Sequence, residues 1–327
     1  MKVGILGVGK IAAVMADTLR RMPQVICWAV GSRTYEKADA FAREYGFERA
    51  YGSYEELAAD PEVQLIYIAT PHSHHYENIK LCLEHGKHVL AEKAFTQNAA
   101  QAREVIAMAK ERNLLLAEAI WTRYMPMRKT LDEIVASGII GKPTSLYATL
   151  SYPISQIERI KEPALAGGAL LDVGVYPLNF ASMVFGNDIE KINATAVLSP
   201  KGVDGITTAV FTYRDGRAAV IHANFQAASN REGAIYGEKG YILVQNINNC
   251  EGIQVFDADH QLIASYERPE QISGYEYEVE ACIEAIEKGR TECAQMPHDE
   301  IIQMMEFMDE IRRQVGVVYP NEKYSST

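Results

Sequence analysis

Lys93 follows Glu92 at the end of a short apolar run, and Asp172, Tyr176 and Asn179 interrupt a long apolar stretch later in the chain. An ammonium group can hydrogen-bond a reacting oxygen and favour its deprotonated form. A phenol can give or take a proton, but its ordinary pKa of about 10 is high for neutral pH, and a nearby ammonium lowers it. Lysine and tyrosine together therefore suit an oxygen that changes protonation. If the later stretch is helical, 172 and 176 are i,i+4 neighbours and 179 lies one turn beyond. Three polar side chains then share one face of an apolar helix. Asp172 in such surroundings needs a partner. The ordinary alternatives are a solvated loop lysine and a buried tyrosine with one satisfied hydroxyl.

The elements that must position these groups begin at the first residues. An apolar run ends in Gly7-Val-Gly9-Lys10-Ile11-Ala12, and apolar periodicity continues from 11 to 19. Strand, glycine turn and helix in that order suit the pyrophosphate of a dinucleotide. Gly7 permits the tight turn, Gly9 lets the phosphates approach, and Ala12 packs close against the strand. Lys10 and Ile11 stand where the helix offers N–H groups and its positive dipole end, and count as cofactor contacts with the glycines. A second strand, 25–30, ends at Gly31-Ser32-Arg33, about 20 residues on, where NAD-specific folds place an acid for the ribose hydroxyl. No acid stands there. A hydroxyl and a guanidinium suit a 2′-phosphate, and Lys37 adds a second positive charge. The cofactor expected is NADP(H), with NAD(H) the other possibility. Thr70 and Pro71, after the third strand, are expected beside the nicotinamide, with His75 and Glu92 counted among the cofactor contacts. His72, His74 and His75 raise a metal site, but no second cluster has ligand spacing, and none is expected.

Bulk properties suit a soluble enzyme. The 327 residues can form two domains, with 48% hydrophobic and 23% charged residues. A net charge of −11 argues against a nucleic-acid or anionic-membrane surface. The five cysteines form no CxxC pair and read as reduced packing residues of a cytoplasmic protein. The chain opens directly on a strand, so no leader peptide is expected. Residues 164–185 carry one charge and are long enough to suggest a membrane span, yet the glycines at 167, 168 and 174 and Pro177 favour a buried helix entered through a glycine turn.

Strands alternate with helical patterns through the first third: strands near 65–69, 87–90 and 114–117, helices near 34–45, 76–84 and 98–112. That rhythm predicts an α/β Rossmann domain with a doubly wound parallel sheet over 1–120. Residues 121–327 favour strands at 144–152, 192–198, 207–213 and 218–224, with a hairpin turn at Arg214-Asp215-Gly216. Helices at 276–287 and 300–315 follow, with a short polar tail from 321 to 327. An α+β substrate-binding and oligomerisation domain with a mainly antiparallel, open-faced sheet is expected, its last helices able to pack back on the first domain. Residues 153–163 have no shape derivable from sequence; Arg159 within them is a candidate substrate contact, an ordinary surface arginine being the alternative.

Five stretches together resemble the glucose–fructose oxidoreductase / inositol dehydrogenase / MocA-like family. They are the glycine turn at 7–12, Thr70-Pro-His-Ser-His-His75, Gly86-Lys-His-Val-Leu-Ala-Glu92-Lys93, Glu118-Ala-Ile-Trp121-Thr-Arg123-Tyr124 and Gly167-Gly-Ala-Leu-Leu-Asp172-Val-Gly-Val-Tyr176. The last two are similar to the branch of dimeric dihydrodiol dehydrogenases and NADP-dependent D-xylose dehydrogenases. The resemblance implies hydride transfer between NADP(H) and a secondary alcohol or carbonyl of a sugar or cyclic trans-dihydrodiol. It implies Lys93 and Tyr176 at the reacting oxygen, Asp172 as a positioning carboxylate, Trp121, Arg123 and Asn179 near the substrate, and a homodimer or homotetramer. Related inositol dehydrogenases carry a histidine and an acid where Tyr176 and Asn179 stand, which speaks against an inositol-like site. The family usually has proline after its lysine, often in a cis peptide; Ala94 stands here, where a cis bond costs on the order of 3 kcal/mol, and the sequence leaves cis and trans both open. Other readings are a reductase of an imine or a sugar-nucleotide ketone, or a non-catalytic dinucleotide-sensing regulator.

Overall fold

The computed structural model describes residues 1–320 and 322, so the polar tail, apart from Glu322, lies outside the described residues. The chain forms two compact units: Met1–Tyr124 with Gln271–Ile302, and Met125–Glu270 with the chain from Gln303 onward. From the sequence a single boundary near 120 is expected; the chain instead changes unit three times.

The first unit alternates strand and helix: β1 (Lys2–Leu6), α1 (Lys10–Leu19), β2 (Ile26–Gly31), α2 (Tyr35–Tyr45), β3 (Arg49–Tyr51), α3 (Tyr54–Ala59), β4 (Leu65–Ile68), α4 (His75–Glu84), β5 (His88–Glu92), α5 (Ala99–Arg112) and β6 (Leu116–Ala119). The strands form one parallel sheet in the order β3-β2-β1-β4-β5-β6. Their near-continuous apolar sequences follow from burial on both faces, as a parallel sheet requires. The unanticipated β3 and α3 are too short for a periodicity signal; α3 starts where the Ser53 hydroxyl accepts from the Glu56 N–H at 3.1 Å.

The second unit begins with α6 (Pro126–Ala136), β7 (Pro143–Ser151) and the short α7 (Glu158–Lys161). The apolar stretch 164–185 is not one regular helix. A 3₁₀ turn at Pro163–Leu165 and a π-helical turn at Leu170–Gly174 precede α8 (Val175–Phe185). The segment is apolar and long enough to cross a membrane, but 89% of its most apolar window is buried in the protein. Its glycine turn is closed by Asp204, which accepts from the Leu170 N–H at 2.7 Å and the Thr207 hydroxyl at 2.6 Å. Gly168 there has φ +126°, and a Cβ on it would lie 2.2 Å from Asp204 Oδ1.

Seven further strands follow: β8 (Ile189–Leu198), β9 (Asp204–Tyr213), β10 (Ala218–Asn224), β11 (Gly233–Gly237), β12 (Gly240–Gln245), β13 (Gly252–Asp257) and β14 (Leu262–Glu267). With β7 they make an eight-stranded sheet, β14-β13-β12-β11-β7-β10-β9-β8, antiparallel except at β7–β10. Arg214-Asp215-Gly216 joins β9 to β10 as expected. Two helices close the fold, α9 (Glu276–Glu287) and α10 (His298–Val315). The segment carrying α9 borders β6: the Leu116 N–H donates to Thr291 O at 3.0 Å, and His298 Nε2 lies 2.9 Å from Leu116 O.

Candidate active site

Between β1 and α1, Gly7 has φ +104°, and a Cβ on it would sit 2.9 Å from the Ala69 carbonyl oxygen. Gly9, before α1, has open space where its side chain would be. No side chain caps α1 and no acid lies in its first turn, so its N-terminal N–H groups are left for an anion. The glycine turn therefore fits a dinucleotide pyrophosphate. The two glycines serve different ends, and substitution separates them. Gly7→Ala is expected to lower the melting temperature by several degrees through strain and the clash with Ala69. Gly9→Ala should leave it unchanged while weakening NADPH binding at least about tenfold; fluorescence titration beside a thermal melt checks both.

At the end of β2, Ser32 is buried and its N–H donates to Tyr51 O at 3.1 Å. Arg33 and Lys37 are exposed, and neither makes an ion pair among the described residues. The Arg33 charge reaches His74 beyond β4, which burial first and Arg33 second hold below the ordinary histidine pKa.

Of the three histidines, His72 meets the His75 ring edge-on, and His74 and His75 serve separate ends. His74 Nδ1 lies 2.9 Å from the Ser73 hydroxyl. Fully buried His75 spans Thr70 O at 2.8 Å and Ala94 O at 2.9 Å, and burial pushes its pKa down to about 4 despite both carbonyls. It fixes the loops after β4 and β5 to each other. Among the described residues no group of three or more His, Cys, Asp or Glu could hold a metal ion. Asn78 of α4 donates to the Thr70 hydroxyl at 3.0 Å, anchoring that loop again.

Lys93 stands immediately after β5, at the carboxyl end of the sheet, where ligands of doubly wound folds bind. The Lys93–Ala94 peptide, for which the sequence leaves two geometries open, is cis in the structure. Its surroundings hold the backbone: Ala94 O meets His75, and the Phe95 N–H donates to Glu118 Oε1 at 3.1 Å. Glu92 is buried and accepts a hydrogen bond from the Tyr67 hydroxyl.

Trp121 stacks on Tyr275 of the returning segment, ring centroids 4.2 Å apart at 8°. Arg123 is nearly wholly buried and pairs with Glu300. Glu276 fixes the loop bearing Tyr275 by accepting from the N–H groups of Ile272, Ser273 and Gly274 at 2.6–3.0 Å.

In the second unit, Asp172 is buried and accepts from Arg159 Nη1 at 3.0 Å, giving the carboxylate its partner. Asp172 lies in the π turn, so the simple i,i+4 face expected for 172, 176 and 179 holds only from Val175 onward. Tyr176 and Asn179 are buried in α8, and Asn179 Nδ2 donates to Val175 O of its own helix at 2.8 Å. Sequence reasoning missed Tyr275, Glu118, Glu278 and Asp204. A lone carboxylate inside the apolar run 114–120 was the available signal for Glu118.

A six-stranded parallel sheet with this glycine turn and a lysine at its carboxyl edge defines a dinucleotide-dependent oxidoreductase. Residues 1–119 match the oxidoreductase family with NAD-binding Rossmann fold, and residues 129–243 match the GFO/IDH/MocA C-terminal domain. The chain belongs to the glucose–fructose oxidoreductase / inositol dehydrogenase / MocA family, and it is an NAD(P)-binding oxidoreductase acting on CH–OH groups. It is 34% identical to human trans-1,2-dihydrobenzene-1,2-diol dehydrogenase over 98% of both chains. The Xenopus laevis enzyme of that name is likewise 34% identical, covering 98% of this chain and 99% of its own. A 3-ketoreductase from Actinomadura kijaniata, solved with NADP and TDP-benzene, superposes with TM-score 0.87 at 26% identity over 96% of this chain and 98% of that one. Aldose-aldose oxidoreductase from Caulobacter crescentus shares the fold, with TM-score 0.87 at 21% identity over 97% of each chain.

Proposed function

We propose that this protein is an NADP(H)-dependent dehydrogenase or reductase of a sugar or cyclic trans-dihydrodiol, working at one secondary alcohol or carbonyl. The observation that carries the reading is Lys93 at the carboxyl end of β5, in a chain similar along its whole length to dihydrodiol dehydrogenases. The bound nicotinamide supplies the hydride acceptor or donor. Gly7, Gly9, Lys10 and Ile11 hold the pyrophosphate, Ser32, Arg33 and Lys37 the 2′-phosphate, and Thr70, Pro71, His75 and Glu92 shape the wall beside the ring. The Lys93 ammonium hydrogen-bonds the reacting oxygen and stabilises negative charge on it. Tyr176 takes the proton from the alcohol, or returns it to the carbonyl. Asp172, held by Arg159, orients the substrate, and Trp121, Arg123 and Asn179 shape its pocket.

A homodimer or homotetramer is supported by the open face of the larger sheet, where Tyr147, Val210 and Tyr236 share one face by register and are exposed. Five free cysteines, four of them buried, support a reducing, cytoplasmic setting. A sugar-nucleotide ketone is the second reading, favoured by the likeness to a ketoreductase solved with TDP-benzene.

The test is NADP⁺ reduction over a panel of aldoses, polyols and a cyclic trans-dihydrodiol, with NAD⁺ in parallel. Turnover of an aldose or the dihydrodiol with NADP⁺ preferred is expected. Silence across the panel, with NADPH consumed by a dTDP-linked ketosugar, supports the second reading. Silence in both sinks the proposal.

A further inference from the structure

Three buried glutamates lie close together in the first unit: Glu92 ending β5, Glu118 in β6 and Glu278 in α9. Glu118 Oε1 accepts from the Phe95 N–H, two residues beyond Lys93, at 3.1 Å. Glu278 is fully buried, and among the described residues neither of its carboxyl oxygens has a hydrogen-bond partner. The charges of Glu92 and Glu118 both bear on Glu278, and that of Glu92 bears on Glu118. Carboxylates so placed repel one another, so each ionised member makes ionising the next more costly.

The groups facing Glu118 come from every neighbouring element. Lys93 and the Phe95 amide approach from the loop after β5, and Arg123, shared with Glu300, from the turn after β6. The Tyr124 hydroxyl donates to the Glu118 carbonyl oxygen at 2.8 Å. Glu278, with Cys282 and Cys293 beside it, closes the cluster from the returning segment, and Tyr67 reaches it through Glu92.

We propose that Glu118 is a positioning residue for Lys93: it holds the Phe95 amide and, when ionised, also balances the ammonium; protonated, it can keep the amide but loses the balance. The proposal rests on Lys93 acting at the reacting oxygen. Glu278 stays neutral because burial and its acidic neighbours push its carboxyl well above the usual range. Glu118 is the member that changes state near neutrality. Burial pushes it up to about 7, while Arg123, the Phe95 N–H and Lys93 pull it down. A group that must be ionised to act makes activity fall as pH drops through its pKa. The wild type should therefore lose turnover below about pH 7.

Glu118→Gln keeps an oxygen for the Phe95 N–H but cannot ionise, so a merely structural role leaves the pH profile unmoved. Expected is a turnover about tenfold below the wild-type plateau, the equivalent of one pKa unit of coupling, without the acid limb. An E118Q profile keeping the wild-type acid limb overturns the proposal. A second measurement needs no substrate: infrared titration of the neutral carboxylic acid band. Asp204, which burial pushes up to about 6, titrates in both proteins, so the readout is the wild-type minus E118Q difference: a band lost near pH 7 belongs to Glu118, while the persisting Glu278 band is common to both. In Lys93→Met the titrating band should move to higher pH, because a cation that lowers Glu118 is gone. An unmoved midpoint in K93M overturns the proposal even if E118Q fails to fold. Absent turnover in the wild type with a shifted midpoint in K93M would instead condemn the catalytic reading and leave the coupling standing.

Discussion

Lys93→Met is expected to lower kcat by about three orders of magnitude, within the range for loss of a group that supports proton transfer in the transition state. Methionine matches the lysine stem but donates no hydrogen bond and carries no charge. Negative charge on the substrate oxygen, which the proposal assigns to Lys93, then goes unsupported. NADPH affinity should stay within about tenfold, because the contacts proposed for the pyrophosphate and 2′-phosphate lie at other residues. Steady-state rates with fluorescence titration of NADPH separate the two effects. Unchanged turnover would remove Lys93 from the mechanism.

Arg33→Ala is expected to raise the Kd for NADP⁺ by about a hundredfold and leave that for NAD⁺ within about twofold. A guanidinium on a phosphate makes charge-assisted, paired hydrogen bonds, the strongest kind a side chain offers. Exposed Arg33 makes no ion pair among the described residues, so its removal should cost little stability. The same variant should raise the His74 pKa, since the Arg33 charge helps to hold it down; burial, the larger cause, stays. Calorimetric titration with both nucleotides checks the prediction, and equal weakening for both would remove the 2′-phosphate role.

What could be read in the sequence follows from where its signals are strong. The glycine turn at 7–12 carries its own geometry: φ +104° at Gly7 and an open helix end are what the residue order demands. The strands of the first sheet show as apolar runs because both faces are buried, and helix α9 shows in its period. Strands β11 and β14 gave no such signal. β11 is glycine-bounded, and β14 has an exposed edge with Leu262 and Ile263 facing outward, so neither alternates cleanly. The π turn at Leu170–Gly174 reflects tertiary packing, which a helical period does not encode. The residues proposed for the chemistry, Lys93, Asp172 and Tyr176, stand out in the sequence against apolar neighbours. Tyr275 and Glu278 lie in an ordinary amphipathic helix region, and only the return of that segment to β6 brings them to the glutamate cluster.

That return also sets the order of assembly on the ribosome. The first unit draws on residues 1–124 and 271–302, so its last piece is made after nearly all of the second unit's sheet. Until then β6 lacks the neighbour that takes its Leu116 N–H, and the nascent parallel sheet has an open edge. The half of the protein synthesised first is thus the half completed late, and a nascent chain stalled anywhere before residue 270 holds an unfinished nucleotide-binding half.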